Sequence, residues 1–193
     1  VVNLNFWKAF ANNSDRWFKA FRLGQQRIVF EEIDSLLQSF GMEYCFDVTA
    51  DGQNCHFVLS PEGFDVAAKE IDALVDSAPS IQDWKIFPRR QRKPLRHVRA
   101  IVKQLYLVDT EQCRFKQSMN NGFGVVEIFV PAEADMTSEE EVGFANTLLW
   151  HALGEDYCMR NQIRSVVKRD VPSNSVAGQL AELVKHLFGD VAP

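Results

Sequence analysis

Glu43-Tyr44-Cys45-Phe46-Asp47-Val48-Thr49-Ala50-Asp51-Gly52-Gln53-Asn54-Cys55-His56-Phe57-Val58-Leu59-Ser60 is the stretch whose reading decides the fold. Its two arms are rich in the β-branched and aromatic residues that suit a pleated, half-buried surface. Asp-Gly between them is a strong tight-hairpin signal, because both central positions of such a turn need positive φ. After Pro61-Glu62-Gly63, the spacing of Val66, Ile71, Leu74 and Val75 predicts a helix from Phe64 to Ser77. Ala78-Pro79 stops it, and Asp83-Trp84-Lys85-Ile86-Phe87 predicts a third strand. The order is strand, strand, helix, strand.

The same order recurs downstream. Gln112-Cys113-Arg114-Phe115-Lys116 and Gly124-Val125-Val126-Glu127-Ile128-Phe129-Val130 predict two strands around a second turn signal, Asn120-Asn121-Gly122. Thr137-Ser138-Glu139-Glu140 has the form of a capping box, in which hydroxyl and carboxylate each satisfy a backbone amide of the first turn. The helix it opens continues through Leu148 and Leu149 to Leu153, with Gly154 as its cap. A strand is expected over 160–168, and a last helix from Ser175 to Phe188.

Before the first hairpin the chain reads as helical. Phe6, Trp7, Phe10, Trp17, Phe18 and Phe21 recur at three- and four-residue spacing, and Asn12-Asn13-Ser14-Asp15 is expected to interrupt them, with Ser14 capping a second segment. A further helix over 25–40 ends at Gly41. The expected architecture is α+β: tandem ββαβ units forming mainly antiparallel sheet, with N-terminal helices and a C-terminal helix packed on it. The boundaries are N-terminal helices 1–40, a first unit 41–90, a basic connector 91–104, a second unit 105–170 and a C-terminal helix 171–193. Together they make a single compact domain with an internal duplication. After the connector, Leu105-Tyr106-Leu107-Val108 is expected to add a short strand.

Fifteen Phe and four Trp provide ample apolar surface for a core. No apolar run approaches the ~20 residues that span a bilayer, and the first residues lack the pattern of a secretory leader. A cytoplasmic protein without membrane contact is expected. Cys45, Cys55, Cys113 and Cys158 are scattered without zinc-ligand spacing, so free core thiols are expected, although Cys45 and Cys55 could face each other across the hairpin.

The net charge of −5 disfavours generic nucleic-acid binding, yet the charge is uneven. Lys85, Arg89, Arg90, Arg92, Lys93, Arg96, Arg99 and Lys103 follow one another with no acid between them. Arg89, Arg90, Arg92, Lys93, Arg96 and Arg99 are the candidate partner-binding residues, for an acidic protein surface or, as an alternative, for phosphates of a nucleic acid or nucleotide. The weaker catalytic candidates are His151, Glu155 and Asp156, where an imidazole could be oriented by a carboxylate beside Arg89 or Arg90. In the plainer reading Gly154 caps the helix, His151 lies favourably near its C-terminal dipole, and acids past that end gain nothing from it. Asp47, Asp51 and Asn54 lack the Ca²⁺-loop pattern. Gly122-Phe123-Gly124 lacks the features of a phosphate loop. Ser60, Ser173 and Ser175 read as helix-start residues. No metal or cofactor is expected.

Phe6-Trp7-x-x-Phe10-x-x-Asn13, Ser60-x-x-Gly63, Ala78-Pro79-x-x-x-x-Trp84-Lys85-Ile86 and Leu153-Gly154-Glu155 together resemble a family of bacterial cytoplasmic proteins of unknown function. The resemblance implies bacterial origin and a cytosolic location, and it assigns no catalytic residue. The expected function is a non-enzymatic protein-binding module of the immunity or adaptor kind.

Overall fold

The computed structural model describes residues 2–120, 123–169 and 178–189. They gather into two units, Val1–Arg90 and Gln91–Pro193.

In the first unit α1 (Val2–Arg22) runs without the expected break. Asn13 Nδ2 donates to the Ala9 carbonyl and Ser14 Oγ to that of Ala11, both at 2.9 Å, so these side chains bond back to their own helix rather than ending it. The apolar stripe of Phe6, Phe10 and Trp17 continues through buried Ser14, whose carbonyl accepts the Trp84 indole N–H at 3.0 Å. α2 (Gln26–Ser39) buries Val29, Ile33 and Leu37, and its end is closed by Gly41 N–H to Gln38 O and Met42 N–H to Leu37 O.

β1 (Cys45–Ala50) pairs antiparallel with β2 (Cys55–Ser60), and β2 pairs parallel with β3 (Trp84–Phe87) after α3 (Asp65–Asp76). Val48, Cys55, Phe57, Leu59 and Trp84 face the helices, and Phe10 meets five aromatic rings within 6.1 Å, those of Phe6, Trp7, Trp17, Phe57 and Trp84. The hairpin loop is wider than the expected two-residue turn. Ala50 and Cys55 are the last pair, and only Gly52 within the loop has positive φ. Asp51 Oδ1 instead accepts from the Gln53 and Asn54 amides at 3.1 and 2.9 Å, a side-chain-held turn.

The second unit departs most from expectation at its start. Most of the connector and the first half of the strand expected after it form one helix, α4 (Leu95–Tyr106). Leu95, Val98, Val102 and Tyr106 supply a helical stripe among the cations, and Lys and Arg are themselves good helix formers. β4 (Arg114–Asn120) and β5 (Phe123–Phe129) pair antiparallel, and β5 pairs parallel with β6 (Arg164–Lys168). The residues of the expected second turn, 121 and 122, lie outside the described ones.

α5 (Ser138–Leu153) begins with the predicted box: Thr137 Oγ1 accepts from Glu140 N at 3.2 Å, and Glu140 Oε2 accepts from Thr137 N at 2.8 Å. Gly154, at φ +88°, ends α5 and opens a short helix that was not expected, α6 (Glu155–Arg160), so the strand expected over 160–168 begins only at Arg164. Glu155 and Asp156 are therefore first-turn acids, at the helix end that favours negative charge. α7 (Leu180–Phe188) completes the unit, and the expected start at Ser175, with Ser173, lies outside the described residues.

The α+β class stands, and the same strand pairing appears in both units, with the order β-β-α-β in the first and the extra helix α6 inserted before the last strand of the second. Each sheet is mixed rather than mainly antiparallel, because the chain crosses a helix and returns alongside the middle strand.

Candidate functional site

The basic strip is contiguous in sequence but is not one surface. Arg89 is buried, and its Nη2 donates to Asp72 Oδ2 at 3.0 Å and to the Ala68 carbonyl at 3.4 Å. The Arg90 side chain is 12% exposed; it reaches Asp47 Oδ2 at 3.0 Å, Ser60 Oγ at 2.5 Å and Glu62 Oε1 at 3.8 Å. Both belong to the first unit, where they neutralise acids of β1, α3 and the β2–α3 turn. In the second unit the Arg92 guanidinium lies 4.4 Å from the Phe188 ring centroid, and the Lys93 amide donates to the His151 carbonyl at 2.8 Å. Arg96 is exposed, Arg99 pairs with Glu111, and Lys103 approaches Asp109 at 3.6 Å. Arg96, Arg99 and Lys103 lie along one flank of α4, the part of the strip that remains a surface.

His151 and Glu155 are both buried, at 6% and 0% exposure. The Asp156 carboxylate is held by Arg160, at 3.1 and 2.9 Å, and so is engaged on its own helix. Gly154 separates the two helices that carry this group, and a Cβ there would stand 3.6 Å from the Arg92 amide nitrogen.

A polar cluster that the sequence reading did not single out lies on the outer face of the first sheet. His56 and Lys85 are cross-strand neighbours, and Asp51 receives His56 Nε2 at 3.0 Å and Lys85 Nζ at 3.1 Å. The Asn54 amide, Lys85, the Gln53 amide and His56 together hold the Asp51 carboxyl well below the usual carboxylate range. The only sequence signal for this cluster was Asp51 and His56 flanking one turn. At the hairpin tip Arg22 bonds the Gly52 carbonyl, beside a groove of about 620 Å³ lined by Phe18, Lys19, Arg22, Leu23, Gly52 and Gln53.

The thiols divide differently from expectation. Cys55, Cys113 and Cys158 are buried, but Cys45 is exposed, and its register partner is Ser60, whereas Cys55 faces Ala50 at the other end of the hairpin. Burial pushes the Cys113 and Cys158 thiols up to about 12, and partial desolvation with the nearby Glu62 carboxylate raises Cys45 as well. None of these settings favours a thiolate nucleophile. Among the described residues no group of three or more His, Cys, Asp or Glu is placed to hold a metal ion, and no helix is long and apolar enough to cross a membrane.

One further feature lies where α4 ends. Leu105 is 61% exposed and Leu107 is 89% exposed, and Leu107 takes φ +58°, the left-handed region that a leucine adopts at a cost. No family model, curated protein or solved structure matches this chain.

Proposed function

We propose that this chain is a non-enzymatic protein-binding module of the immunity or adaptor kind, which engages a partner through the exposed flank and C-terminal end of α4. The observation that carries this reading is Leu107. A leucine held left-handed costs about 1 kcal/mol relative to relaxed backbone, and this one returns almost nothing through burial, since its side chain stands in water. The left-handed turn ends α4, with the Leu107 N–H donating to the Lys103 carbonyl at 3.1 Å, but a leucine exposed in that position adds nothing to the fold of the isolated chain. The choice of leucine at this exposed cap is explained if a partner covers Leu105 and Leu107 while its carboxylates meet Arg96 and Lys103 on the adjoining flank.

The enzymatic alternative has weaker support. His151 and Glu155 are withdrawn from solvent, and Asp156 is committed to Arg160.

Glycine is at ease in the left-handed region, so Leu107→Gly separates the two roles. The variant is expected to keep or raise stability to urea, by up to about 1 kcal/mol, while losing a partner that wild type captures from cells of its source. A clear fall in stability would mean that Leu107 supports the fold, and the reading would fail. Capture by the variant equal to wild type would also defeat it.

A further inference from the structure

A second surface of the same unit has a separate basis, in β6. The strand order β4-β5-β6 leaves β6 at the edge of its sheet. The Lys168 carbonyl accepts from Val130 N at 2.9 Å, which directs Lys168, and by alternation Val166 and Arg164, toward β5. Ser165 and Val167 then turn their backbone N–H and C=O groups to the open side. Among the described residues no backbone group bonds that side. The strand alternates in exposure, with Arg164, Val166 and Lys168 exposed and Ser165 and Val167 half-buried.

The outer face beside this edge is cationic. Arg114 and Lys116 on β4 and Arg164 and Lys168 on β6 share it with one carboxylate, Glu127, which Lys168 and Lys116 both approach. The Arg164 guanidinium lies 4.1 Å from the Phe123 ring centroid, which holds it over the face, and Val166 is 45% exposed between the two β6 cations. An extended chain laid along β6 would therefore meet unsatisfied backbone groups at its edge and a cation–valine–cation row beside it.

That row discriminates among occupants. A second copy of β6 added antiparallel about Val166 would put Arg164 opposite Lys168 at both ends, and like charges directly opposed across strands are destabilising. Cations on an edge strand are a recognised means of preventing self-pairing. A strand alternating acidic and apolar side chains is favoured by the same row: with period-2 alternation its carboxylates all fall on the outer face beside Arg164 and Lys168, and its apolar residues fall on the other face beside half-buried Val167. From this geometry we infer that β6 is a docking edge for an extended acidic–apolar peptide segment, which adds to the sheet as a further strand. This inference uses no residue of the α4 surface and stands or falls apart from it.

The test takes the full chain with three probes: a short peptide alternating Glu and Val, its counterpart alternating Lys and Val, and a thymidine oligonucleotide. Affinity is read by fluorescence anisotropy at low and moderate salt, and amide hydrogen exchange is followed with and without saturating peptide. The Glu–Val peptide is expected to bind and to slow exchange at the Ser165 and Val167 amides. Arg164→Gln combined with Lys168→Gln should weaken it by at least about tenfold, with circular dichroism unchanged. Ser165→Pro removes one outward N–H and should abolish the protection; if that variant does not fold, the exchange readout on wild type carries the test. Absence of binding, binding without protection of those two amides, or equal or tighter binding of the Lys–Val peptide or the oligonucleotide would each overturn the inference.

Discussion

Asp51 illustrates how one side chain here serves geometry before chemistry. Its carboxylate closes the hairpin loop by accepting two backbone amides, and it also joins Lys85 and His56 on the neighbouring strands. In the unfolded chain an aspartate titrates near pH ~3.9; in the fold these donors hold Asp51 ionised to lower pH. A depressed carboxyl pKa contributes stability that is complete above the unfolded value and is lost as pH falls through the folded one. Asp51→Asn is therefore expected to be less stable than wild type at neutral pH, with the gap narrowing below about pH 4. Urea titrations across that range check it, and a gap independent of pH would show that the charge of Asp51 is not what matters. Neither the wider loop nor the role of His56 was legible in sequence. Asp-Gly signals a turn, but its width depends on whether the aspartate side chain is recruited, and that depends on strand neighbours brought in from residue 85.

At the scale of elements, local chemistry was the better guide wherever a cap was involved. The Thr137 and Glu140 box and the Gly41 and Gly154 ends stand where the spacing of apolar residues put them, because capping uses groups within a few residues of one another. Thr137→Ala should destabilise the protein by about 0.5–2 kcal/mol, measured by urea unfolding; no measurable change would mean that the box is redundant with the packing of α5. Polar residues misled in α1, where Asn13 and Ser14 look like a stop but bond back to helix carbonyls while Phe10 and Trp17 remain anchored. Cations misled in α4. Its stripe of Leu95, Val98, Val102 and Tyr106 is sparse, and the eye follows the charge instead of the period. At Gly154 the acids that seemed misplaced beyond a helix end prove to begin another helix.

At the scale of the whole molecule, each unit carries its own apolar cluster. That of the first is built around aromatic rings of α1, with Phe10 fully buried among five others. Phe10→Ala is expected to destabilise the first unit by about 3–5 kcal/mol and to speed amide exchange within residues 1–90; exchange there as slow as in wild type would show that the cluster tolerates the cavity. The sequence by itself determined the α+β class, the strands and following helix of each unit, the capping box of α5 and the apolar faces of α2, α3 and α5, because these follow from periodicity and short-range bonding. Only the tertiary structure decided which charges are surface and which are scaffold. The run from Lys85 to Lys103 reads as one basic strip, yet Arg89 and Arg90 neutralise distant acids at 72, 47 and 62, Lys85 joins Asp51 on the first sheet, and the flank of α4 is a separate surface. A charge is placed by the partner it meets in space, and those partners lie tens of residues away along the chain.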